Sequence, residues 1–192
     1  MVTPDKKPAE DALMVCTQGD TAFVRVIGRG GFKVAPALRD FGMYVHEQEH
    51  LRRMVVDMLS CTAMDSTFMG VLAGLSYRFT KQREGEVVLV NMNPHTYGLL
   101  TTLGLDRVLQ AYRLSEEPPE IGRILEKAKP RRALDTKADG QETRETMVAA
   151  HEALVQVAPE NEALFHDVLE FLKKEAPAGR QDKQPPPSEP TS

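Results

Sequence analysis

The sequence predicts an α/β domain over residues 11–114, built on a mixed β-sheet with helices packed on it, followed by a C-terminal helical hairpin. Three observations predict it. Short apolar runs with strand patterning alternate with segments whose apolar residues recur every three or four positions. A turn-rich hairpin opens the domain and adds an antiparallel pair to strands that must otherwise run parallel through right-handed crossovers. The composition then shifts after Leu114, where Glu116-Glu117-Pro118-Pro119 interrupts the pattern.

Leu13 to Cys16 and Ala22 to Ile27 read as two strands joined by the turn residues Gln18-Gly19-Asp20. Gly28-Arg29-Gly30-Gly31 is expected to break the second strand as a flexible strand-to-helix turn. Val34, Leu38, Phe41 and Val45 share one face of a first helix, with Pro36 in its first turn. Met54 to Leu59 is a nearly continuous apolar run that suits a covered strand. Asp65-Ser66-Thr67 supplies an N-cap, and Phe68, Val71, Leu72, Leu75 and Phe79 form the stripe of a second helix that stops at Gly85. Val87 to Val90 is another buried strand. Asn93-Pro94 opens a third helix, His95 to Leu103, and Val108 to Leu114 reads as a last strand. The element order is β-β-α-β-α-β-α-β.

Residues 1–10 are expected to be a flexible N-terminus, and 115–142 a charged linker with a short helix near 120–129. Residues 143–174 carry two helical patterns separated by Pro159. In the second, Leu164, Phe165, Val168, Leu169 and Leu172 are expected on one buried face, against the domain, a second copy or a separate partner. The Pro-, Gln- and Ser-rich stretch 175–192 is expected to be disordered.

The bulk numbers narrow the function. A net charge of −4 gives no electrostatic reason to bind nucleic acid or anionic lipid. No window approaches the roughly 18 apolar residues of a membrane span, and the start, MVTPDKKPAED, has no apolar run for a secretory signal. Cys16 and Cys61 form no CxxC pair and read as buried thiols in a reducing compartment. The expected location is the cytoplasm, with no cofactor and no metal.

His46-Glu47-Gln48-Glu49-His50 matches H-E-x-x-H, in which two imidazoles one helical turn apart share a zinc and Glu47 serves as base. Zinc catalysis needs a third ligand, and Arg53 and Val56 stand where the longer motif places Gly and His. The alternative is a charged, solvated last helical turn. Ser66 lies in D-S-T-F-M-G rather than G-x-S-x-G, so no nucleophile elbow is present. On residue types alone, Asp65-Ser66-Thr67 reads first as a cap. An exposed serine beside a cap is also a site where a phosphate is tolerated by the helix N–H groups and dipole.

Met54 to Gly70, MVVDMLSCTAMDSTFMG, resembles the central signature of the STAS domain of anti-sigma factor antagonists, in which a hydrophobic strand carries an Asp and D-S-[ST]-G-L-G opens a helix. Glu86 to Asn91, and Leu99 to Asp106 with its Leu103-Gly104-Leu105 ending, are similar to later parts of the same family. The resemblance covers residues 11–114. It implies a domain without catalytic activity, in which Ser66 is the phosphoacceptor and Asp65, Ser66, Thr67, Phe68, Met69, Gly28 and Arg29 form the partner surface. It further implies partner switching: an anti-sigma factor with serine-kinase activity is bound while Ser66 is unphosphorylated and released once it is phosphorylated, and a phosphatase resets the cycle. Phe68 and Met69 replace the family's Gly-Leu, which implies a bulkier partner surface at the helix start. The family's G-x-L-D loop is replaced by Gly28-Arg29-Gly30-Gly31-Phe32, which lacks the acid. The other readings are a STAS interaction module outside sigma control (a stress-complex scaffold or transporter accessory) and, more remotely, a zinc hydrolase through His46, Glu47 and His50.

Overall fold

The computed structural model describes residues 10–83 and 85–174. The expected flexible N-terminus, apart from Glu10, and the expected disordered tail lie outside the described residues. Strands β1 (Ala12–Gln18) and β2 (Thr21–Gly30) form the antiparallel hairpin, with Ala12 opposite Ile27 and Gln18 opposite Thr21. Strands β3 (Arg53–Met64), β4 (Glu86–Met92) and β5 (Gln110–Arg113) each add in parallel. The sheet is mixed, as the sequence predicts, with strand order β5-β4-β3-β2-β1-β6, where β6 is the two-residue strand Arg132–Ala133.

Helices α1 (Ala35–Glu47) and α2 (Ser66–Arg83) cover one sheet face, and α3 (Pro94–Thr102) leads from β4 towards β5. Leu38, Phe41 and Val45 of α1, with Phe68, Leu72, Leu75 and Phe79 of α2, bury against Val24, Val26, Met54, Val56 and Met58. Each such side chain contributes about 1.5–3 kcal/mol by leaving water.

Two strand ends differ from expectation. β2 does not break at Gly28 but continues through Gly30, and β3 runs on to Met64 beside it. Register shifts at Arg25/Ile27 and Gly28/Arg29 bend the pair, and Gly28 takes φ 75°, a left-handed value glycine adopts without strain. Gly28 and Gly30 are therefore part of a bulged strand, and the turn to α1 begins only at Gly31.

Residues 115–142 do more than connect. Helix α4 (Pro119–Lys127) lies on the second sheet face, where Ile121 buries against Phe23, Val55, Val88 and Val90, with Ile124 and Leu125 packed alongside. That face is apolar because β3 and β4 are hydrophobic on both sides, and it needs a cover. The chain then crosses back as β6, pairing Met14 with Ala133 and Val15 with Arg132. The Leu134 N–H donates to the Leu13 carbonyl at 2.9 Å.

The C-terminal hairpin is formed by α5 (Gly140–Val157), capped by Asp139, and α6 (Glu162–Lys174). α5 packs along α2, and α6 packs on α5. The face expected on α6 is divided. Leu172 is buried and Phe165 and Leu169 are half-buried, while Leu164, Val168 and Phe171 are exposed, because only one side of α6 reaches α5.

The His-Glu-x-x-His segment does not share one helical face. α1 ends at Glu47, and His50 lies beyond it, exposed, at φ 57°. His46 is not solvated as expected but buried, its ring 4.6 Å from that of Phe79. With His50 past the helix end, the two imidazoles do not sit one helical turn apart as the motif requires.

Phe68 is fully buried, with its ring against Gly30, where a Cβ would come within 2.9 Å of it. Phe68→Ala is expected to cost about 3–5 kcal/mol through lost burial and a cavity. Urea unfolding of wild type and variant measures it, and a change under 1 kcal/mol would show that Phe68 is a surface residue after all.

Candidate functional site

The candidate site gathers where β2 and β3 end and α2 begins. Asp65 organises it. Its Oδ1 accepts the Phe68 N–H at 2.9 Å, which caps α2, and its Oδ2 accepts the Phe32 N–H at 2.7 Å from the turn before α1. Its own N–H donates to the Gly30 carbonyl at 3.0 Å. A Cβ at Gly31 would lie 2.9 Å from Oδ2, so the second glycine leaves room for the carboxylate as the first leaves room for the Phe68 ring. The Gly30-Gly31 pair is therefore required by close packing on both sides of the cap.

Asp65 caps α2, so the Ser66 hydroxyl is not consumed by capping. It lies 3.0 Å from Nε2 of His151 on α5. The His151 Nδ1 is 2.7 Å from the Met147 carbonyl, which can only accept, so Nδ1 carries a proton. In the neutral ring Nε2 then holds the lone pair and accepts from Ser66 Oγ. His151 is 3 % exposed, and its ring centroid is 4.9 Å from that of Phe165. Ser66 is thus half-buried rather than exposed, because the C-terminal hairpin docks over it.

The structure brings the other expected partner residues to the same corner but does not expose them all. Arg29 is exposed, with its N–H donating to Asp11 at 2.8 Å, and Gly28 and Asp65 are half-buried. Thr67, Phe68 and Met69 are buried. The bulkier partner surface expected of Phe68 and Met69 is therefore absent: both side chains turn into the core.

The strand aspartate, Asp57, has a different place. It is buried on β3, paired with Arg25 at 2.9 Å and bonded by the Asn91 amide at 2.9 Å and the Leu59 N–H at 3.1 Å. These partners come from three strands, so Asp57 holds the sheet together. Sequence reasoning missed His151, which has no local motif, and the Gly70 to Gly74 spacing on α2, which was visible but lay outside the apolar stripe.

Cys61 is buried on β3, its Sγ 3.3 Å from the Ala63 carbonyl, whereas Cys16 is half-buried rather than fully buried as expected. Burial pushes the Cys61 thiol pKa up, so it stays protonated in mildly alkaline solution.

An α/β domain whose strand ends and one capped helix gather around a single serine is the class these elements define. Residues 13–111 match the family described as Mlab, STAS domain, and the chain belongs to that family. Its fold is similar to that of the anti-sigma factor antagonist SpoIIAA in its unphosphorylated form, at 16 % identity and a TM-score of 0.47, covering 60 % of this chain and 96 % of that one. A putative anti-sigma factor antagonist from Thermotoga maritima is similar at 15 % identity and TM-score 0.47, over 59 % of this chain and 92 % of that one. The phosphorylated form of the Bacillus cell fate determinant SpoIIAA is similar at 18 % identity and TM-score 0.47, over 59 % of this chain and 99 % of that one. No curated protein sequence matches the chain. The hairpin that covers Ser66 lies outside the residues matched to the family.

Alkylation in native buffer at about pH 8, followed by peptide mass spectrometry, is expected to modify Cys16 at least tenfold faster than Cys61. Equal rates would contradict the burial of Cys61.

Proposed function

We propose that the chain is an anti-sigma factor antagonist that acts by partner switching at Ser66. In this reading it binds an anti-sigma factor with serine-kinase activity while Ser66 is unphosphorylated. Phosphorylation releases the complex, and a phosphatase restores it. The domain works without catalytic chemistry of its own, in the cytoplasm.

The observation that carries the reading is the division of labour between Asp65 and Ser66. Asp65 takes the capping bonds, so the Ser66 oxygen at the first residue of α2 is not used as a cap and meets His151 instead. A phosphate there adds close to two negative charges at the positive end of the helix dipole, where the first-turn N–H groups lack helical partners. The modification changes the surface offered to a partner without breaking the fold. Arg29, exposed near the end of β2, belongs to the partner surface in this reading.

The hairpin on α2 favours a second reading. A STAS interaction module outside sigma control, such as a stress-complex scaffold or transporter accessory, would use the same α2 surface without a kinase. Incubation with ATP and a candidate serine kinase, followed by mass spectrometry, separates the two. Under partner switching, Ser66 gains phosphate, Ser66→Asp weakens partner capture at least tenfold, equivalent to about 1.4 kcal/mol, and Ser66→Ala captures partner but takes no phosphate. An unmodified Ser66 together with unchanged capture by Ser66→Asp would sink the switch and leave the scaffold reading.

A further inference from the structure

Helix α2 has two unlike faces. Phe68, Leu72, Leu75 and Phe79 turn to the sheet. The face under α5 is made of small residues. A Cβ at Gly70 would come within 2.2 Å of the Ala150 carbonyl oxygen, so the two backbones touch there. One turn on, a Cβ at Gly74 would lie 3.9 Å from that of Ala153.

A contact of this kind brings helices close but buries little side chain. Ala150, Leu154 and Leu172 are the buried aliphatic residues that α5 and α6 contribute. Ala153, Val157 and Phe165 pack half-buried against the core, and polar contacts add to these. Ser66 meets His151 at 3.0 Å, Arg39 donates to Thr146 at 2.6 Å, and the Asn161 amide donates to the Leu103 and Leu154 carbonyls at 3.1 and 2.9 Å. Beside the contact an open cleft of about 1050 Å³ remains, lined by Arg39, Met43, Gly74, Tyr77, Ala149 and Ala153. The cleft means that α5 does not fill its seat completely.

The rim of this seat is basic. Arg39, Arg78, Lys81 and Arg107 border the cleft, against one acid, Asp40, which pairs with Arg39 at 3.0 Å. The hairpin meets two of them with acids: Glu142 lies 3.8 Å from Arg39, and Glu160 lies 3.3 Å from Arg107. Both ion pairs are part-exposed and hold weakly.

We infer that α2 from Ser66 to Gly74 is a helix-docking surface, that α5 is its resident occupant, and that the partner presents an acidic helix with small side chains in the register of Ala150 and Ala153. The partner replaces α5 on the small-residue face and takes over the contact to Ser66. Access to Ser66 follows the same event. A phosphoryl group on Oγ needs the space that His151 fills at 3.0 Å, so α5 leaves before Ser66 is modified. The inference rests on the reading that a partner binds at the start of α2.

The full chain carrying Gly74→Cys and Ala153→Cys provides a reversible lock, since the 3.9 Å between these Cβ positions suits a disulfide. Hydrogen exchange is expected to show residues 140–174 of the reduced protein exchanging at least tenfold faster than β3, by local opening. Oxidation should slow them to the rate of β3, and reductant should restore the difference. Exchange of the hairpin only in step with β3 in the reduced protein would overturn the inference. A second measurement uses Ala150→Leu, whose side chain does not fit against Gly70. A labelled peptide of residues 140–157 should bind this full-length variant at least tenfold more tightly than wild type, and the same peptide bearing the Ala150→Leu change should not bind. No preference of the peptide for the variant, with β3 still protected from exchange, would also overturn it. Ser66 phosphorylation is scored separately: its absence in both redox states, with peptide binding intact, counts against the phosphoacceptor and not against the docking surface.

Discussion

One carboxylate holds the functional corner of this domain. Asp65 bonds the start of α2 with one oxygen and the turn before α1 with the other, while its own N–H ties it to the end of β2. Two chain segments 33 residues apart in sequence, 30–32 and 65–68, therefore share one fixed point. The positions of Gly30, Gly31, Phe68 and Ser66 follow from it. The two glycines give way to the phenyl ring and the carboxylate, the phenyl ring anchors α2 in the core, and the serine is left at the rim. Charged acceptors of backbone N–H groups are among the stronger hydrogen bonds, and two from one side chain fix an orientation as well as a distance.

From that corner outward, the two faces of α2 sort the rest of the molecule. The large residues commit the helix to the sheet. The small ones, Gly70, Ala73 and Gly74, create a shallow track that admits another helix at backbone contact. The chain fills that track with its own α5, which also covers Ser66, one of the residues that the STAS resemblance assigns to partners. The match to the family ends before this occupant begins, so the cover over Ser66 comes from a part of this chain outside the matched residues.

The sheet, its strand order of element types and the α2 start were legible in the sequence because each rests on local rules. Apolar runs of the right length gave β3 and β4, and Asp65 read as a cap from residue type alone. What was not legible depended on distant packing. Gly28 to Gly31 looked like a loop because glycines break strands on average, whereas here a bulge keeps Gly28 to Gly30 in the strand and close approaches fix Gly30 and Gly31. Ser66 looked exposed because its covering histidine lies 85 residues away in sequence. Phe68 belonged to the apolar stripe of α2 by its spacing, and only the motif comparison put it on the partner surface, because a motif places positions, not directions. The divided faces of α6 were hidden for the same reason: periodicity counts apolar positions without saying which of them finds a neighbour.

The short pairing of β6 with β1 sets how far the hairpin travels. Arg132 and Ala133 are fixed to the sheet edge, and α5 begins at Gly140. The six residues between them, 134–139, span at most about 20 Å when extended. An undocked α5 therefore remains beside its seat at an effective concentration on the order of millimolar. Any rival helix competes against that local excess at every encounter. A weak, solitary helix loses. A successful partner binds tightly, grips a second surface at the same time, or arrives when the hairpin is held elsewhere. The two-residue strand thus acts as a threshold, and its tether length decides which partners are strong enough to matter.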